Sequence, residues 1–167
     1  LSLIAAGQLP GITHVLAYEP PYAMPGIGND LPADYVETLE RFNAEGNGSA
    51  SAAYFLTAAI GMSEADVEDM KQTPFWSVME AVGPTVAYDG HAMTRGRKGY
   101  EIPSHLWADS RAKILVVDGG ASFPGMAEAA VAVAKATPGA EHRSLGDQGH
   151  GPSPESIAPV LREFVGS

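Results

Sequence analysis

The run Lys113-Ile-Leu-Val-Val-Asp118-Gly-Gly120 constrains this chain more than any other stretch. Ile114 to Val117 is apolar and mostly β-branched, with no polar residue to face water. Such an uninterrupted run, stopped abruptly by turn residues, suits a strand buried on both faces. Pro124 opens the next segment, where Met126, Ala129, Ala130, Val133 and Ala134 recur at helical spacing, and Pro138-Gly139 closes it. A second short strand is expected over Ala140 to Leu145. Strand, helix and strand in this order form a βαβ unit, so the two strands are expected to be parallel. The glycine-rich loop that follows presents His150. The carboxyl ends of parallel strands are where such sheets place their chemistry.

A chain of 167 residues is long enough for a real core. Its formal charge of −10 opposes binding to nucleic acid or to an anionic membrane surface. The one basic cluster, Arg95-Gly-Arg97-Lys98, reads as a solvated loop. There is no cysteine, which excludes disulfides, thiolate chemistry and cysteine-ligated zinc. No apolar run approaches the ~20 residues of a membrane span, and no signal peptide is evident, so a cytoplasmic location is expected.

In chain order, Leu1 to Gly7 reads as the last turns of a helix, with Gly7 near its C-cap. Ile12 to Tyr18 is a strand candidate. Glu19 stands at its carboxyl end, where Pro20-Pro21 stops any ladder. The chain then changes character. Asp34 to Glu45 carries Tyr35, Val36, Leu39 and Phe42 on one helical stripe. Ser49 or Ser51 is expected to cap a helix bearing Tyr54, Phe55 and Ala58. Ser63-Glu-Ala-Asp66 has the form of a capping box, with Asp for the usual Glu or Gln. Pro74 opens a helix with Phe75, Trp76, Met79 and Val82 in register. Together these make a helical insertion of about 85 residues, where a plain crossover needs about a dozen. Its aromatic and methionine side chains are mostly packing, and some are expected to line an apolar pocket. Ile102 to Trp107 returns the chain to the sheet. A helix from Pro154 to Val165 closes it, with Ile157, Val160, Leu161 and Phe164 on one buried face. The division is thus residues 1–21 and 110–167 as an α/β core, with 22–109 as an inserted helical lid.

Of the five histidines, His14 and His142 lie on strands, and His91 and His105 lie in the insertion. No pair has metal-ligand spacing, and a metal site needs three or four converging ligands. His150 differs in context. Glycine on each side lets the loop turn tightly and leaves the imidazole unencumbered. It reads either as a helix-entry loop histidine or as a general base or acid near neutral pH.

The order of these elements, with Tyr18-Glu-Pro-Pro21, Ala87-Tyr-Asp89, Asp118-Gly-Gly-Ala-Ser122 and Gly146-Asp-Gln-Gly-His150, resembles the C-terminal half of an α/β-hydrolase. The Tyr18 and Ala87 stretches are similar to a bacterial, lid-bearing subgroup. The resemblance implies parallel strands with helices on both faces, a lid over an apolar substrate, and a nucleophile–His–acid triad without a dissociable cofactor. The family's nucleophile sits in G-x-S-x-G on a strand-to-helix turn. No serine here matches: Ser122 lacks the second glycine, as does Ser153. A nucleophile of the chain's own at either serine stays a minor alternative. The helix after that turn would be Leu1 to Gly7, so the nucleophile is expected before Leu1. The chain by itself is then expected to be inactive, because a base without a nucleophile leaves no covalent step. The family's usual acid position falls near Ser122, where no carboxylate stands. Some relatives take the acid from the strand before the lid, which corresponds to Glu19; Asp118 is the reserve candidate. The expected partners are an N-terminal half on another chain, or a second copy paired at the Ile12–Ala17 edge. The rival reading is a non-catalytic fragment or self-associating binding module that uses the lid's apolar surface.

Overall fold

The computed structural model describes residues 1–22, 31–94 and 101–166. The basic cluster Arg95–Lys98 lies outside the described residues. By its internal contacts the chain divides into two compact units, Leu1–Ile27 with Gly96–Ser167, and Gly28–Arg95.

The first unit is built on three parallel strands in the order β1 (His14–Tyr18), β2 (Lys113–Gly119), β3 (Glu141–Leu145). His14 lies opposite Lys113 and Tyr18 opposite Val117, while Leu115 lies opposite Glu141 and Gly119 opposite Leu145. The strands are parallel, as expected from the strand–helix–strand order. From Ile114 to Gly119 every residue of β2 is buried, so this central strand needs cover on both faces. Helix α8 (Pro154–Val165) covers one: Val160 and Phe164 pack on Leu115 and Val117, with Leu16, Tyr18 and Leu145 around them. Each fully buried side chain of this kind contributes roughly 1.5–3 kcal/mol. Helix α7 (Met126–Ala136) also packs on β2, burying Ala129, Ala130, Val133 and Ala134. Its small residues are absent from the α8 cluster, which leaves it the face of Ile114 and Val116.

Helix α1 (Ser2–Gln8) lies beside β1 and buries Leu3, Ile4 and Ala6. Gly7 lies in the last turn, near the Leu9 C-cap as expected, and close packing gives a further reason for glycine there. A Cβ there would stand 2.1 Å from the Leu106 carbonyl oxygen and 2.8 Å from Trp107 Cα. Residues 102–107 rejoin the core through one short turn of helix, Ser104–Leu106. Trp107 is buried and donates its indole N–H to Thr137 Oγ1 at 2.9 Å.

The second unit is all helical: α2 (Tyr35–Ala44), α3 (Gly48–Tyr54), α4 (Glu64–Lys71), α5 (Trp76–Val82) and α6 (Val86–Thr94). Asn47, not Ser49 or Ser51, caps α3: its side chain accepts the Ala50 N–H at 2.9 Å. Ser51 instead bonds Asn43, and Ser49 accepts the Trp76 indole N–H. Ser63 caps α4 by accepting the Asp66 N–H at 3.1 Å. Asp66 meets the Ser63 hydroxyl at 2.6 Å; one methylene shorter than the usual Glu, it completes the box through the hydroxyl. Tyr35, Val36, Leu39 and Ala87 form one core, and Ala52, Leu56, Val67 and Trp76 another. On α5 only part of the expected stripe is inside: Trp76 is buried, whereas Phe75 and Val82 are exposed. No described helix is long and apolar enough to cross a membrane.

Candidate active site

Three loops at the carboxyl ends of β1, β2 and β3 converge on Glu19. Its backbone N–H extends the ladder, donating to the Val117 carbonyl at 2.7 Å. Its φ is then +43°, the left-handed region that a side chain rarely takes. A residue held there costs on the order of 1 kcal/mol or more and persists only where its surroundings fix it. Those surroundings are three donors. Oε1 accepts the Gly119 N–H at 2.9 Å, and Oε2 accepts the Ser122 hydroxyl at 2.8 Å. Oε2 also lies 2.6 Å from His150 Nδ1. Glu19 is 2 % exposed, and the burial of its carboxylate is matched by these bonds.

The His150 side chain is the accessible member of the pair at 58 % exposure. A carboxylate only accepts, so the tautomer that fits this contact carries its proton on Nδ1 and leaves Nε2 as an acceptor. Among the described residues no protein group bonds Nε2. The Phe123 ring lies 5.5 Å from the imidazole, centroid to centroid, and is 62 % exposed.

The loop that carries His150 is held by the strand ends. Gln148 N–H donates to the Leu145 carbonyl at 3.0 Å, and Ala121 N–H donates to the Gln148 carbonyl at 3.0 Å. Gln148 Oε1 accepts the Ser153 N–H at 2.8 Å. The Tyr18 hydroxyl donates to the Gly149 carbonyl at 2.5 Å. Burial, and then the charges of Glu19 and Asp118, push the Tyr18 phenol above its ordinary value, which keeps it a donor. Gly119 makes this convergence possible. A Cβ there would lie 2.3 Å from the Gln148 carbonyl oxygen, 2.5 Å from Tyr18 Oη and 2.6 Å from the Gly149 carbonyl oxygen.

Asp118 takes a separate position. It is fully buried, and its oxygens meet His142 Nε2 at 2.5 Å and Ser144 Oγ at 2.7 Å, both from β3. It does not approach His150, so of the two carboxylates considered from sequence only Glu19 does. The turn amide of Gly119 likewise bonds Glu19 and not Asp118. Ser153 is the N-cap of α8, its hydroxyl accepting the Ser156 N–H at 3.3 Å. Ser122 shares the Glu19 Oε2 acceptor with His150 Nδ1. Two roles escaped the sequence, where Ser122 figures only as an alternative nucleophile. Ser122 could have been found from its place just past the turn that ends the neighbouring strand. Nothing in the sequence marked the Tyr18 hydroxyl. His91 pairs with Glu40 at 2.8 Å on the surface, and His14 meets Thr13 at 3.0 Å. Among the described residues no three His, Asp or Glu side chains gather as a metal site would require.

No family model matches the chain, and no curated protein matches it. Among solved structures it is similar to an α/β-hydrolase from Sphaerobacter thermophilus, at 37 % identity and a TM-score of 0.77. The match covers 98 % of this chain and 62 % of that one, so the chain spans less than two thirds of that hydrolase's length.

Proposed function

We propose that this chain, which carries the C-terminal part of the α/β-hydrolase fold, supplies the base and the acid of a hydrolytic triad. The observation that carries the reading is the 2.6 Å contact between Glu19 and His150 Nδ1, with Nε2 left open. In this reading Nε2 takes the proton of a nucleophile as that nucleophile attacks an acyl carbon. Glu19 keeps the ring in the correct tautomer and stabilises the imidazolium that forms. The imidazolium then returns the proton to the leaving group. The substrate is an ester, amide or related bond in a small apolar molecule, and the exposed Phe123 ring beside the imidazole supports an apolar preference. The nucleophile comes from sequence outside these residues. Two observations support that: no serine here stands in G-x-S-x-G, and the hydroxyls of Ser122 and Ser153 are bonded to Glu19 and to the α8 N-terminus rather than to His150 Nε2.

The test uses the full-length hydrolase, with its nucleophile identified by an organophosphonate label, and short p-nitrophenyl esters. His150→Ala and Glu19→Gln are each expected to lower kcat by about three to four orders of magnitude. Unchanged turnover in Glu19→Gln overturns the assignment of the acid. A label on Ser122 or Ser153 overturns the external nucleophile.

A second reading, a self-associating or binding module, is favoured by one feature of α5. Phe75, Val78 and Val82 are 55, 54 and 46 % exposed at helical spacing. A concentration-dependent mass in solution that Val78→Ser abolishes supports this reading; a constant monomer mass removes it.

A further inference from the structure

We infer that Tyr18 is a positioning residue that fixes where His150 stands relative to Glu19; the inference rests on the reading of that pair as base and acid. In an extended strand, consecutive side chains point to opposite faces. Tyr18 follows that rule: with Leu16 it packs on the α8 side of the sheet, against the core of Leu115, Val117, Val160 and Phe164. Glu19 departs from it. The φ of +43° at this residue turns its side chain away from strand geometry, so that it and its neighbour grip the same loop. Glu19 holds the His150 ring through Nδ1, and the Tyr18 hydroxyl holds the preceding peptide through the Gly149 carbonyl.

The two grips do different work. A carboxylate bond to one ring nitrogen leaves the ring free to swing about that contact and to move with its loop. The loop contains Gly146, Gly149 and Gly151, whose backbones resist little. A second bond, one residue earlier on the backbone, removes that freedom. Its donor is set on an aromatic ring packed in the sheet core, so the position of His150 is referred to the sheet. A misplacement of about 1 Å in a reacting group can cost about a hundredfold in rate, which is the scale on which such an anchor matters.

Tyr18→Phe keeps the ring and removes the hydroxyl. The first readout needs no turnover: long-range ¹H–¹⁵N spectra of the histidine-labelled 167-residue protein, at a pH where the ring is neutral. The wild type is expected to hold His150 as the Nδ1–H tautomer. Tyr18→Phe is expected to move it toward the Nε2–H form, while Phe164→Leu, which thins the same core, leaves it in place. In the full-length hydrolase, Tyr18→Phe is expected to lower kcat about tenfold or more with KM within about twofold. A wild-type ring protonated at Nε2 would sink the base-and-acid reading itself. A wild-type Nδ1–H tautomer that Tyr18→Phe leaves untouched, or a kcat loss that Phe164→Leu matches, overturns the inference about Tyr18 alone.

Discussion

Glu19 and Asp118 are both buried carboxylates at strand ends, and their partners separate them. Glu19 meets two donors from the β2 turn and one from the His150 loop; Asp118 meets two side chains of one neighbouring strand. Asp118 therefore ties β3 to β2. The expected outcome of Asp118→Asn follows. The amide NH2 replaces one acceptor oxygen with a donor, so Ser144 or His142 must accept where it donated; losing the two bonds to a charged acceptor costs about 1–3 kcal/mol of stability, while the turnover of the full-length hydrolase stays within about threefold of wild type. Chemical denaturation with parallel kinetics checks it, and an equal collapse of turnover without loss of stability would return Asp118 to the catalytic set. At this scale the sequence revealed the residues that end strands, because a strand end is a local property. It did not reveal which of two carboxylates faces His150. That is decided by the left-handed backbone at Glu19 and by the register that sets Ser144 beside Asp118.

Elements were legible where burial on both faces leaves an unbroken apolar run, as in β2, or where a small-residue stripe sets a helix, as in α7. They were less legible where an apolar residue ends up outside. The spacing of Phe75 and Val82 is the same whether or not anything covers them. Gly7 shows a local rule overridden by packing. Helix propensity alone gives Gly7→Ala a gain of about 1 kcal/mol. The added methyl would instead meet the backbone of Leu106 and Trp107, which cannot rotate away. Overpacking of this kind costs about 1–3 kcal/mol or more, so Gly7→Ala is expected to lower the thermal midpoint; a raised midpoint would mean that the chain at Leu106 yields. In the helical unit, α2 offers a second measurement. Tyr35 is pushed up to about 12 by its burial first, then by Tyr54 and Asp89. Its raised value means that folding favours the protonated phenol. That contribution is fully present below the unfolded value near 10 and is lost as pH rises from there toward 12. Tyr35→Phe is expected to flatten the fall in stability across this window, and an unchanged slope would refute the assignment.

For the whole molecule, the outer side of β1 matters most. Among the described residues β1 pairs on one side only. Its inward bonds fall on odd-numbered residues, since the Thr13 carbonyl accepts the Lys113 N–H and the Glu19 N–H donates to Val117. In a parallel ladder the alternate residues then direct their N–H and C=O groups outward: His14, Leu16 and Tyr18. Between these lie Val15 and Ala17, so the outward edge belongs to an apolar strand, the kind that pairs with another chain unless it is covered. The length of the similar hydrolase that this chain leaves unmatched gives such cover a natural source. We therefore expect the Leu16 amide to be as slow in hydrogen exchange as that of Ala17, which already faces β2. In the isolated 167-residue protein that protection is expected to come from a second copy, so it should fall on dilution while Ala17 stays protected. In the full-length hydrolase it should be independent of concentration. A monodisperse monomer in which Leu16 exchanges freely and the site geometry still holds, read by the His150 tautomer, would show that β1 is a finished edge and that the sheet needs no further strand.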